Sequence, residues 1–145
     1  MGLDIKNYQQ IFLDTSPFIY FFEENPTYIE LMSCFWDQVY QFNVNVVTSI
    51  ITYVELLTLP EKQGDHLLSA RYRESLTNSN NISIYPMNIL VADATIKYRA
   101  RYNLNTPDAI QLATAEVCGA EMILTNDQEW LKTQKPEVVL LRDLI

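Results

Sequence analysis

Ile11-Phe12-Leu13-Asp14-Thr15-Ser16-Pro17 reads as a short buried strand that ends on a carboxylate and turns at once into a helix. Pro17 suits a first helical turn, where its missing N–H costs nothing, and the aromatic helix Phe18–Glu24 stops before Pro26. The same strand-then-helix alternation continues outward from this unit. Val44–Val47 is a β-branched strand; Thr48 or Ser49 caps a helix over Ile50–Leu59, which Pro60 ends. Ile82–Tyr85 is a third strand, Met122–Leu124 a fourth and Val138–Leu141 a fifth.

Between them the helical signals are equally regular. Thr27 and Glu30 form a capping box ahead of Ile29, Met32, Trp36, Val39 and Tyr40 at helical spacing. Glu61–Asp65 is a polar turn before the helix His66–Leu76, and Asn88 caps Ile89–Tyr102. Thr106 and Pro107 are the N-cap and first residue of a helix running through Val117, which Gly119 ends. Alternating elements of this kind build an α/β domain, a parallel sheet of four to five strands covered by helices on both faces. Residues 1–145 contain no repeat or long linker and are expected to form a single domain.

Apolar residues make up 48% and charged residues 19%, which places the chain among soluble globular proteins. Its start, MGLDIKNYQQ, lacks a secretory pattern, Lys6 stands where a myristoylation signal wants Ser or Thr, and no run suits a membrane span. A cytoplasmic protein is expected. Cys34 and Cys118 lie far apart in apolar helical patterns and read as reduced buried thiols. Two cysteines and the single His66 leave too few soft ligands for a zinc site or a serine or cysteine triad. A metal site here must be built from oxygen, which selects a hard cation.

Four acids occupy informative places. Asp14 ends the first strand, Glu55 interrupts the apolar helix Ile50–Leu59, Asp108 follows Thr106–Pro107, and Asp127 ends Thr125-Asn126-Asp127 after the fourth strand. Taken singly, each has an ordinary explanation: a turn carboxylate, a solvated Glu, a first-turn acid on the helix dipole, a turn residue. Glu55 sits in a helix apolar enough to be mostly buried, where a carboxylate needs compensation. Ligands of parallel sheets bind beyond the carboxyl ends of strands, and Asp14 and Asp127 both follow strands. Four carboxylates converging there would repel by roughly 4 kcal/mol per close pair at an effective dielectric near 20, unless protons or a dication neutralise them. Asp93, Glu23, Glu24 and Asp143 fit capping or surface roles.

The segment Tyr98-Arg99-Ala100-Arg101-Tyr102-Asn103-Leu104-Asn105-Thr106-Pro107-Asp108-Ala109-Ile110-Gln111-Leu112-Ala113-Thr114-Ala115 resembles the third acidic motif of the PIN-domain ribonucleases, in particular the VapC-like toxins. Thr125-Asn126-Asp127 resembles their TND motif, Ile11–Ser16 their opening strand and first acid, and Thr52-Tyr53-Val54-Glu55-Leu56-Leu57 their second acidic motif. The resemblance runs from Ile11 to about Leu141. It implies a PIN-like three-layer α/β/α sandwich and an endoribonuclease dependent on Mg²⁺ or Mn²⁺. Asp14, Glu55, Asp108 and Asp127 would be its catalytic and metal-binding acids, and Ser16 and Thr125 the supporting hydroxyls. It further implies RNA as substrate, a homodimer, and a small antitoxin inserting near the acidic cleft.

Net charge of −8 and a pI near 4.5 oppose RNA binding unless a metal and local cations outweigh them. Arg71, Arg73 and Arg99 are the candidate phosphate contacts. A haloacid-dehalogenase phosphatase needs an Asp at position 16, which is Ser, and a receiver domain needs an extra acidic pair that is not visible. The reading left open from another class is a PIN-like non-catalytic module for RNA binding or regulation.

Overall fold

In the computed structural model, which describes residues 2–145, Ile11 and Leu13 pack into one core and Phe12 into another. That division follows from the two-residue period of a strand, and it makes this strand the middle of three layers. The strands are β1 (Gln10–Leu13), β2 (Asn45–Ser49), β3 (Ile82–Tyr85), β4 (Met122–Thr125) and β5 (Glu137–Leu140). All pair in parallel, in the order β3-β2-β1-β4-β5. Helices α1 (Thr15–Phe22), α2 (Ile29–Phe42), α3 (Ile50–Gln63) and α4 (His66–Asn78) supply the first core. Helices α5 (Ile89–Tyr102) and α6 (Thr106–Val117), with the 3-10 segment Gln128–Lys132, supply the second. The expected three-layer α/β/α sandwich is therefore observed, with five parallel strands.

The strand order reverses direction at β1 and β4, and a parallel sheet opens a crevice at such a point. Asp14 and Asp127 flank it. Asp14 N donates to Leu124 O at 3.1 Å, so the β1–β4 ladder extends one residue past β1 and sets Asp14 beside Thr125.

Several local expectations are corrected. Helix α1 starts at Thr15 and not at Phe18, because Asp14 itself is the N-cap and accepts from Thr15 N. The Thr27 capping box does not form: Asn25 Oδ1 accepts from Thr27 N and Tyr28 N after Glu24 turns the chain at φ 52°. Pro60 lies inside α3, where it is buried, and the helix ends at Gly64, whose φ of 67° suits glycine. Helix α6 is capped by Asn105, not Thr106: Asn105 Oδ1 accepts from Asp108 N at 2.9 Å.

The aromatic segment of α1 faces other aromatics. Phe18 and Phe21 lie 6.1 and 6.0 Å from the Trp36 ring, and Phe22 lies 5.2 Å from Tyr72. Tyr40, placed by its spacing on the apolar side of α2, is exposed and borders a groove with Phe21, Phe22 and Trp36. Cys34 and Cys118 are unpaired and half-buried. Among the described residues no helix is long and apolar enough to cross a membrane.

Candidate functional site

Asp14 is the floor of the crevice, only 8% exposed. Three donors hold its carboxylate: Thr15 N at 2.7 Å and Gln111 Nε2 at 3.1 Å on Oδ1, and the Thr125 hydroxyl at 2.7 Å on Oδ2. These donors come from α1, α6 and β4, so three elements must dock before the group is fixed. Gln111 is in turn oriented from β2. Ser49 donates to its Oε1, which turns the amide N–H groups toward Asp14 and toward Thr52 Oγ1 at 2.8 Å. Ser49 Oγ also accepts from Ile51 N and Thr52 N as the cap of α3. Fully partnered buried networks of this kind hold side chains in single positions.

Burial is the main force on Asp14 and pushes its carboxyl up to about 7. The Thr125 and Thr15 hydrogen bonds oppose that rise, and the nearby charges of Glu55 and Asp108 add to it. Asp108, half-buried at the start of α6, is also raised, first by burial and next by Asp127, with Glu55 contributing least. Asn105 and the Trp130 indole pull it down. The Trp130 Nε1 is buried with no acceptor in hydrogen-bond geometry, so it acts on Asp108 from nearby without a formed bond.

Glu55 is exposed, which corrects the expectation that its helix buries it; α3 turns this position to the crevice mouth. There its Oε1 accepts from the Thr15 hydroxyl at 2.6 Å. Asp127 is half-buried and caps the 3-10 segment, accepting from Glu129 N at 3.0 Å. The four acids thus share one electrostatic neighbourhood without forming a tight cage. Among the described residues no three Asp, Glu, His or Cys side chains stand close enough to enclose an ion.

Of the supporting hydroxyls, Thr125 holds Asp14, whereas Ser16 faces a groove beside Asp127. Arg71 donates to Phe22 O at 3.3 Å, Arg73 to the Tyr53 hydroxyl at 2.9 Å, and Arg99 to Leu104 O at 3.4 Å. None pairs with the acids; Lys132–Glu129 is the ion pair found among the described residues. Sequence reading missed Gln111, Ser49, Thr15 and Thr52. The available signal was Gln111 itself, one amide in the apolar run Ala109–Ala113 and one turn beyond Asp108.

The PIN domain family model matches residues 11–136. The chain is a PIN-domain protein. PIN domains are a family of nucleases that generally use divalent metal ions. No curated protein matches the chain in sequence. Solved structures similar to this PIN domain include VapBC2 from Rickettsia felis bound to a promoter DNA fragment, with TM-score 0.74 and 13% identity over 90% of this chain and 98% of that one. VapBC-1 from nontypeable Haemophilus influenzae has TM-score 0.70 and 20% identity, covering 92% and 98%. Mycobacterium tuberculosis VapC20, a sarcin–ricin loop cleaving toxin, has TM-score 0.61 and 15% identity, covering 78% and 86%.

The donor set of this PIN domain fits a hard dication that keeps part of its water shell. All candidate ligands are carboxylate oxygens, and Mg²⁺ takes only about one or two of them directly. Burial first, and the neighbouring carboxylates after it, raise the carboxyls of Asp14 and Asp108, and a cation in the crevice would oppose both.

Proposed function

We propose that this PIN domain is an Mg²⁺- or Mn²⁺-dependent endoribonuclease and the toxin of a two-component toxin–antitoxin module. The observation that carries this reading is Asp14, a buried carboxylate held by three donors at the sheet's switch point, within the field of Glu55 and Asp108. Similarity to an RNA-cleaving toxin and to toxin–antitoxin complexes supports it.

Asp14 and Asp127 are the assigned direct ligands, with Glu55 and Asp108 ligating or orienting the attacking water. The ion, when bound, supplies charge neutralisation at the phosphate and acidifies a water. Thr125, Thr15 and Gln111 fix the carboxylate of Asp14, so its oxygens need no reorganisation during the reaction. Asp108, half-buried at the start of α6, would serve as a hydrogen-bond acceptor for a water in the crevice.

A homodimer belongs to the same reading. Ile50 and Val54 follow β2, Met87, Ile89 and Leu90 follow the adjacent β3, and all are exposed; a second copy of the chain would cover such apolar side chains. A small antitoxin inserting near the acidic crevice belongs to the same reading.

The test is cleavage of a cellular RNA preparation with Mg²⁺ or Mn²⁺, repeated in EDTA and with Asp14→Asn. Metal-dependent cleavage that Asp14→Asn abolishes supports the reading; equal cleavage by the variant refutes the site. The open acid arrangement and the net charge of −8 favour a second reading, a PIN module that binds without cutting. Mn²⁺ calorimetry separates the two, since a pure scaffold gives no saturable binding.

A further inference from the structure

Next to Asp127 and Ser16 runs an open groove of about 620 Å³, also lined by Tyr20, Tyr28, Asn126 and Arg142. This volume lies within the roughly 300–1,000 Å³ of ligand sites. Tyr20 and Tyr28 are stacked at 4.5 Å with 15° between their planes. Asn126 ties the two sides together. Its Nδ2 donates to the Tyr20 hydroxyl at 3.2 Å, its Oδ1 accepts from Arg142 N at 2.9 Å, and its carbonyl accepts from Arg142 Nη2 at 2.6 Å. Arg142 has five N–H donors and commits one of them to Asn126, leaving a positioned, exposed fork. It is the single cation lining the groove among the described residues, while Glu129 is offset by Lys132 at 2.7 Å.

A fixed guanidinium beside a paired aromatic surface is the chemistry that recognises a nucleotide: phosphate on the fork, base against the ring. Single-stranded RNA is read in this way, through bases splayed onto aromatic side chains. We propose that this groove seats the nucleotide flanking the scissile phosphate of single-stranded RNA, with Arg142 on its phosphate and the Tyr20–Tyr28 pair against its base. The proposal rests on the ribonuclease reading for the scissile phosphate, but the groove's affinity for RNA is measurable without it. It also accounts for how an acidic chain keeps RNA at an acidic crevice: the attraction is local, beside Asp127.

The test uses the full chain and labelled single-stranded RNA oligonucleotides of varied sequence. Cleavage is measured with Mn²⁺, and binding by fluorescence anisotropy in EDTA across a salt series, for wild type, Arg142→Gln and Tyr28→Leu. Arg142→Gln is expected to raise KM about tenfold with kcat within about twofold, and to flatten the salt slope of binding by about 0.7. Tyr28→Leu is expected to weaken binding about tenfold and to alter which bases flank the cuts. Wild-type KM, salt slope and cut pattern in both variants overturn the groove while leaving the nuclease reading intact. Should wild type bind RNA without cutting it, and Arg142→Gln bind less, the groove stands and the nuclease reading falls. Absence of both cutting and binding by wild type overturns both. If Tyr28→Leu loses its cooperative melt, the exposed Arg142→Gln decides alone.

Discussion

The floor of the crevice and its rim are built on opposite principles. Asp14 is buried and fixed by three donors, and Gln111 behind it is fixed by Ser49. Glu55 and Asp127 stand at the mouth, each with one neighbouring donor among the described hydrogen bonds. The difference shows how a negatively charged site tolerates itself without an ion. Two carboxylates, Asp14 and Asp108, are raised so that they hold a proton more readily, while Glu55 stands exposed, where its charge is screened. Preorganisation sits in the floor and adaptability in the rim.

The comparison breaks most readily in activity. Asp14→Asn is expected to lose about 1,000-fold in RNA cleavage, because the proposed function assigns this carboxylate several kcal/mol of charge stabilisation. Glu55→Gln at the rim is expected to lose about tenfold, the low end for a group that orients rather than anchors. Equal losses in single-turnover assays would erase the distinction.

Stability sharpens it next. Folded Asp14 titrates near 7 against an ordinary 3.8, so between these pH values the folded chain holds a proton that the unfolded chain has released. Stability therefore falls as pH rises from about 4 to 7 and is level above that window, a loss on the order of 4 kcal/mol at full extent. Asp14→Asn, which keeps an N-cap residue, removes the loss. In EDTA its Tm is expected above wild type at pH 8 and equal to it at pH 4, with Mn²⁺ reversing the ranking at pH 8. Coincident melts at pH 8 would show that Asp14 does not carry the strain.

Gln111→Leu tests the second tier of the floor. Cleavage is expected to fall about 10- to 100-fold with the fold retained, as when the support of a ligand is removed. Rate and Mn²⁺ affinity measured together distinguish this from unfolding. The smallest expected effect is Arg71→Gln, within about twofold in cleavage, because exposed pairings of this kind contribute little.

The fold was legible because nearly every strand ends on a residue with its own backbone meaning, such as Asp14, Ser49 or Pro86 after Tyr85. The placement of Asp14 and Asp127 beyond strand ends was legible because each follows a short apolar run. Caps were less so: after the left-handed turn at Glu24, which no pattern announces, Asn25 bonds the Thr27 and Tyr28 amides and α2 starts without a side-chain cap. The exposure of Glu55 depends on how α3 rotates about its axis, and neighbouring apolar residues do not fix that. Arg142 was invisible for a different reason. It meets Asn126 because β5 pairs with β4, a contact between segments that carry no shared signature.

The partners Asp14 and Thr125 are separated by 111 positions, and Asp14 and Gln111 by 97. Because β1 is central and takes β4 as its neighbour, the first of the four candidate acids to be made waits for the fourth strand before it is seated. Until α6 and β4 have been made, Asp14 lacks Gln111 and Thr125 as partners. For the ribonuclease proposed above, such an arrangement delays competence until the chain has been made through Thr125.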